Sequence, residues 1–139
     1  MQVEPYLLFS GRCEEALEFY RQAVDAEIDM LMRYRESPEP LPPDMARPGI
    51  EELVMHASFR IGDSVVMAAD DCTRMTTGFQ GFQLSLSVTD VAEAERRFAA
   101  LADGGQVRMP LTKTFYSPSF GMLTDRFGVF WMVIVPAAA

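Results

Sequence analysis

The chain writes one order of elements twice, and that duplication confines it to folds assembled from two similar halves. Each half reads as an apolar run, a stretch of helical periodicity, and three further strand-like runs. Glu15-Ala16 ahead of Tyr20 is matched by Glu93-Ala94 ahead of Phe98, and each pair opens the helix of its half.

In the first half, Val3 to Phe9 is almost continuously apolar, as a strand covered on both faces would be, and Ser10-Gly11 breaks it. From Glu14 to Val24, Ala16, Leu17, Tyr20, Ala23 and Val24 recur at helical spacing, which predicts an amphipathic helix. Glu27 to Arg35 alternates, with Ile28, Met30, Met32 and Tyr34 on one face and Asp29, Leu31, Arg33 and Arg35 on the other. Pro38, Pro40, Pro42, Pro43 and Pro48 then fix φ and remove backbone donors, so residues 36–49 are expected to form a long connection. Leu53 to Ile61 and Ser64 to Ala69 flank Gly62-Asp63, which predicts a tight hairpin.

A polar loop through Asp70, Asp71, Thr76, Thr77 and Gly78 leads to the second half, where Phe82 to Val88 alternates Leu84, Leu86 and Val88 with Gln83, Ser85 and Ser87. Thr89-Asp90 with Glu93 has the form of a capping box, and Val91, Ala94, Phe98 and Leu101 make the apolar stripe of a helix ending near Gly104-Gly105. Gln106 to Leu111, Phe120 to Thr124 and Val129 to Val135 complete the half, the last two joined through Asp125-Arg126-Phe127-Gly128.

The expected fold is therefore α+β, a single domain over residues 1–139 made of two βαβββ modules at about 1–70 and about 81–136. Either module alone would expose an apolar sheet face. The economical arrangement keeps the helices outside and curves a mixed sheet around a central cavity.

Twenty acidic against twelve basic residues give a net charge of −8 with no basic stripe, so nucleic acid is not an expected partner. No stretch has the length of a membrane span, no membrane partner is expected, and the chain is expected to be cytoplasmic. Cys13 and Cys72 fit no zinc or CxxC spacing and are expected as reduced thiols; Cys72 follows Asp70 and Asp71, a setting that disfavours a thiolate. No Ser-His-Asp or Cys-His arrangement is visible.

The segments PYLLFSGRCEEALEFY, HASFRIGDSVVMAAD and FGMLTDRFGVFWMV, set in the repeated order, resemble the PhnB-like proteins of the vicinal-oxygen-chelate superfamily, which includes glyoxalases, bleomycin-resistance proteins and dioxygenases. Proteins of this type sometimes carry a label as demethylubiquinone methyltransferases, yet no glycine-rich strand-to-helix turn is present to cradle a nucleotide-like cofactor. Metal-dependent members of the superfamily place one His or Glu on the first and last strand of each module. By motif, those positions fall here at Pro5, Met67, Gln83 and Met132. A proline, two thioethers and an amide cannot rebuild a site for a hard or borderline divalent ion, so neither metal nor cofactor is expected.

His56, the only histidine, is either a structural residue bonded to a neighbouring strand or a cavity-facing acid-base group. Met67 and Met132 would floor an adaptable pocket or simply pack the core. Gln83 and Ser85 add polar groups, Arg33 and Arg35 would pair an anionic ligand or stay solvated, and Phe115, Tyr116 and Phe120 sit in a segment that Pro118 and Gly121 allow to bend over a pocket mouth. Trp131, out of phase with Met132, belongs against the helices.

These readings give a small-molecule-binding protein without the superfamily's metal site, or an enzyme that has lost its metal function, with a mainly apolar pocket containing Gln83, Ser85, His56 and one or more arginines. The rival is a metal-dependent lyase or dioxygenase with displaced ligands such as His56 with Glu51, Glu52 or Asp70. A third reading is a drug-sequestering module whose acidic charge steers a cationic ligand. The resemblance also implies a homodimer, which would cover exposed strand edges.

Overall fold

The structure, a computed structural model, describes residues 1–71 and 78–137. Cys72, Thr76 and Thr77 of the expected polar loop lie outside the described residues. The chain divides into two units, Met1–Thr77 and Gly78–Ala139. Each carries a βαβββ succession with a four-stranded mixed sheet, so the α+β class and the duplication read from the sequence are what the chain adopts.

The first unit comprises β1 (Tyr6–Phe9), α1 (Cys13–Val24), β2 (Glu27–Arg33), β3 (Val54–Ile61) and β4 (Ser64–Asp70). Its sheet runs β1-β4-β3-β2, with β1 parallel to β4 and the other pairs antiparallel. α1 buries Cys13, Ala16, Leu17, Tyr20, Ala23 and Val24, a 3-and-4 spacing that forms one stripe. That stripe meets the buried sheet residues, among them Phe59, whose ring stacks on Tyr20 at 6.1 Å between centroids.

Burial along β1 corrects the reading of a strand covered on both faces: Leu7 and Phe9 are buried, whereas Tyr6 and Leu8 are 43% and 40% exposed. Only one face meets a helix, so the period-2 alternation of a half-covered strand takes hold. Val3 lies outside the strand and is exposed. β2 also stops earlier than expected. Register shifts between Ile28 and Met30 and between Met32 and Arg33 break its alternation, and Tyr34–Glu36 turns as a short 3-10 segment. The proline-rich connection, free of helix and strand over residues 37–49, closes on a small apolar cluster of Tyr34 and Ile50 with Leu41, Met45, Leu53 and Met55.

The start of α1 has no cap from its own sequence. Asp70, at the end of β4, supplies it: Oδ1 accepts from the backbone N–H groups of Gly11 (2.8 Å) and Cys13 (3.0 Å), and Oδ2 accepts from the N–H of Val54 (2.9 Å). The Tyr34 hydroxyl donates to the Asp70 carbonyl at 2.8 Å. One buried side chain thus ties β4, the entrance of α1 and the start of β3 together.

The second unit comprises β5 (Leu84–Ser87), α2 (Val91–Ala102), β6 (Gln106–Thr114), β7 (Ser117–Thr124) and β8 (Phe130–Val135), in sheet order β5-β8-β7-β6. Asp90 caps α2 as expected, accepting from the N–H of Glu93 at 2.8 Å. Ala94, Phe98 and Leu101 are buried, while Val91, expected in the same stripe, is 39% exposed in the first turn. α2 packs on β7 and β8, and Gly121 permits the approach: a Cβ there would lie 2.8 Å from the Phe98 ring. Trp131 is buried on that side, as its phase predicts.

Around Phe115 the structure departs from the expected bent loop. β6 and β7 run on until Thr114 pairs with Ser117, so Phe115 and Tyr116 form a hairpin tip and Pro118 lies within β7. Tyr116 still packs edge-on against Phe115 (5.0 Å) and Phe120 (5.6 Å). Asp125 organises the β7–β8 turn: its carboxyl accepts from the N–H groups of Phe127 (2.8 Å) and Val129 (3.1 Å) and from the Trp131 indole (2.9 Å).

Candidate functional site

Because α1 takes one face of the first sheet, strand alternation assigns the other to a defined set of side chains. Met67 is in register with Tyr6 on one side and Ser58 on the other, Ser58 with Met30, and His56 with Met32. Four strands therefore contribute to one open face of thioethers, one hydroxyl, a phenol and an imidazole. The phenol and imidazole meet: the Tyr6 hydroxyl lies 2.8 Å from His56 Nδ1, with ring centroids 5.6 Å apart.

Partial burial, then the nearby Cys13, pushes the Tyr6 phenol above its ordinary range, so it keeps its proton at neutral pH. In the tautomer with its ring proton on Nε2, His56 accepts the Tyr6 hydroxyl proton at Nδ1. The contact with Tyr6 orients the ring, and in that tautomer Nε2 is left as a hydrogen-bond donor.

Of the residues singled out in the sequence, His56 and Met67 share this face. Pro5 lies just outside β1, and its carbonyl accepts from the Met67 N–H at 3.0 Å; one step along the strand, Tyr6 is the residue beside Met67 on the open face. Arg33 and Arg35 do not share a strand face. Arg33 pairs with Glu14 (2.7 Å) and donates to the Glu52 carbonyl (2.9 Å), and Arg35, in the 3-10 segment after β2, pairs with Glu52 (3.1 Å). Both guanidinium groups already have carboxylate partners.

The second sheet has its own open face. Ser85 is in register with Met132, Met132 with Met122, and Phe130 with Thr124. Gln83 precedes β5, and its amide nitrogen lies 3.9 Å from the Met132 sulfur. Arg108, which no sequence pattern marks, donates from Nε to Thr124 Oγ1 at 2.6 Å and sits 4.4 Å above the Phe130 ring centre.

The donors at the superfamily's ligand positions do not suit a hard or borderline divalent ion. The resemblance sets those positions at Pro5, Met67, Gln83 and Met132, a proline, two thioethers and an amide, and of these Pro5 lies outside β1 in phase with the buried Leu7 and Phe9, so it does not share the open face with Met67. Of the displaced set, both Asp70 carboxyl oxygens accept backbone N–H groups, Glu52 pairs with Arg35 and His56 Nδ1 is engaged by Tyr6, while Glu51 is exposed. Among the described residues, no three His, Cys, Asp or Glu side chains gather as a metal-holding group. The strand-to-helix turns also lack a glycine-rich cradle: Gly11 stands alone in the first, with its N–H given to Asp70, and residues 88–90 of the second contain no glycine.

Tyr6 is hard to single out in the sequence because it sits in a seven-residue apolar run that has the pattern of a strand covered on both faces. The tyrosine in phase with Leu8 was the available signal. Arg108 had no comparable signal, since its position depends on a register shift in β6.

A family model described as 3-demethylubiquinone-9 3-methyltransferase matches residues 1–134. Protein YjdN of Escherichia coli (strain K12) is 34% identical over 142 residues, spanning 97% of this chain and 95% of that protein. Protein PA1353 from Pseudomonas aeruginosa is 42% identical with a TM-score of 0.86, covering 98% of each chain. The PhnB protein from Bacillus cereus is 30% identical with a TM-score of 0.81, covering 97% of this chain and 99% of its own. At 12% identity and a TM-score of 0.70, a glyoxylase/bleomycin resistance protein/dioxygenase domain from Frankia sp. EAN1pec shares the fold, covering 100% of this chain and 94% of its own. The chain belongs to the PhnB and YjdN family, described as 3-demethylubiquinone-9 3-methyltransferase, on the fold of the glyoxalase, bleomycin-resistance and dioxygenase superfamily.

Proposed function

We propose that this protein binds a small molecule on the open face of its first sheet without the superfamily's divalent ion. The observation that carries this reading is the Tyr6–His56 pair, hydrogen-bonded at 2.8 Å among the thioethers of Met30, Met32 and Met67. Methionines adapt to an irregular apolar ligand, and an oriented Nε2–H offers one directional bond to a carbonyl or similar oxygen. Ser58 adds a second hydroxyl on the same face.

Metal-dependent lyase or dioxygenase chemistry is the weaker reading, because Asp70, Glu52 and His56 Nδ1 are engaged by protein partners and no metal-holding group of three His, Cys, Asp or Glu side chains gathers among the described residues. Methyl transfer, which the family's description suggests, has no support in the strand-to-helix turns. Sequestration of a cationic drug draws support only from the net charge of −8. A homodimer is part of the proposal: β6 is an edge strand whose residues are nearly all exposed, and a second copy would protect such edges.

Elemental analysis of protein purified without chelator, with thermal-shift titrations of nickel, zinc, manganese and iron, tests the metal-free reading. The expected result is no stoichiometric metal and no saturating rise in melting temperature. One ion per chain with a saturating rise would overturn it. An organic-ligand screen read by His56 and methionine methyl resonances, repeated on Tyr6→Phe, then tests the face itself.

A further inference from the structure

We propose that Arg108 anchors an anion-binding site on the open face of the second sheet, suited to an organic acid with a flat apolar body. This goes beyond the Tyr6–His56 reading and does not depend on it. In β6, Val107 pairs with Leu123 and Met109 with Met122, so Arg108 is an extra residue opposite a single step of β7. Such bulges re-aim a side chain, and this one sends the guanidinium toward Thr124 and Phe130. The Thr124 hydroxyl takes Nε, and the Phe130 ring lies beneath the charge at 4.4 Å.

Most other arginines of this acidic chain are neutralised locally. Arg33 pairs with Glu14, Arg35 with Glu52, Arg60 with Asp29 and Arg126 with Asp103. Arg108 is held by a ring and a hydroxyl instead, and no carboxylate partner is present for it among the described residues. Its two terminal nitrogens remain for a ligand, in the fork geometry that takes a carboxylate or phosphate by two parallel bonds. Beside it, Phe130, Met132 and Met122 give an apolar floor, and the Gln83 amide stands over Met132 from the opposite side. The chemistry matched is an anionic head on the guanidinium and a flat apolar body on that floor.

Titrations of benzoate and of its neutral isostere benzamide, followed by NMR of the Arg108 side chain and the Met122 and Met132 methyls, test the proposal. Saturable shifts at all three groups are expected for benzoate, with benzamide at least about tenfold weaker. Arg108→Gln should remove the preference for benzoate, and Arg108→Lys, which keeps the charge without the fork, should restore only part of it. Arg96→Gln, an equal charge loss at an exposed position of α2, should leave it unchanged. Equal binding of benzoate and benzamide, benzoate binding that survives Arg108→Gln, or no saturable benzoate shifts in the millimolar range would each overturn the site. Inorganic phosphate in the same assay separates the two anion sources: shifts at Arg108 alone mean that the head group suffices, and shifts only with benzoate mean that the apolar floor is required.

Discussion

Asp70 and Asp125 are each 2% exposed, and each accepts from three N–H donors, two of them buried in each case and without that partner otherwise. Unpaired buried donors cost about 1–3 kcal/mol apiece, so Asp70→Ala should lower unfolding stability by about 3–5 kcal/mol in urea titrations. Asp70→Asn keeps one acceptor and turns the other into a donor, and should recover only part of that. A loss under about 1 kcal/mol for Asp70→Ala would refute the capping role. Cys13 allows a pH prediction. Burial, then Asp70, then Glu14 raise its thiol far above the ordinary value. The unfolded thiol ionises above about pH 8.5 while the folded one stays protonated, so the native state binds more protons there and stability falls as pH rises. The slope from this group reaches about 1.4 kcal/mol per pH unit, is absent below that range, and should vanish in Cys13→Ala. Parallel stability–pH curves for the two proteins between neutral and alkaline pH would contradict this.

The helices show how far an element is legible and where it stops being so. α2 announces itself through Asp90, Glu93 and the Ala94, Phe98, Leu101 spacing, and it forms where those residues place it. α1 is legible by periodicity, but its cap comes from Asp70, far along the chain, which no local reading reveals. Gly121 is a comparable case: in the sequence it is a bend signal, and in the sheet it is the gap that Phe98 fills. Gly121→Ala would press a methyl group against the Phe98 ring, the Met109 carbonyl and Leu111, and should cost about 1–3 kcal/mol in thermal or urea unfolding. Gly78→Ala, with open space around its Cβ position, tests only backbone strain at φ +120° and separates that effect from crowding.

For the whole molecule, the duplication has its clearest consequence in the matched construction of the units: in each, one helix covers one sheet face, and one buried aspartate ties a strand end to neighbouring backbone. No helix among the described residues is long and apolar enough to cross a membrane. The exposed β6 edge motivates the last prediction. Sedimentation velocity at micromolar concentration should give a species of twice the chain mass, and a single-chain species would remove the dimer from the proposal.

The sequence alone determined the element order, the duplication, the Asp90 cap of α2 and the poor metal-donor chemistry of the side chains at Pro5, Met67, Gln83 and Met132, because each follows from local periodicity or side-chain type. Tertiary structure decided which face of β1 stays open, so that Tyr6 meets His56. It decided that Arg33 and Arg35 are spent on Glu14 and Glu52, and that Arg108 is turned onto Phe130. Each of those outcomes depends on strand register and on partners distant in sequence, and a one-residue slip or bulge moves a side chain to the other face.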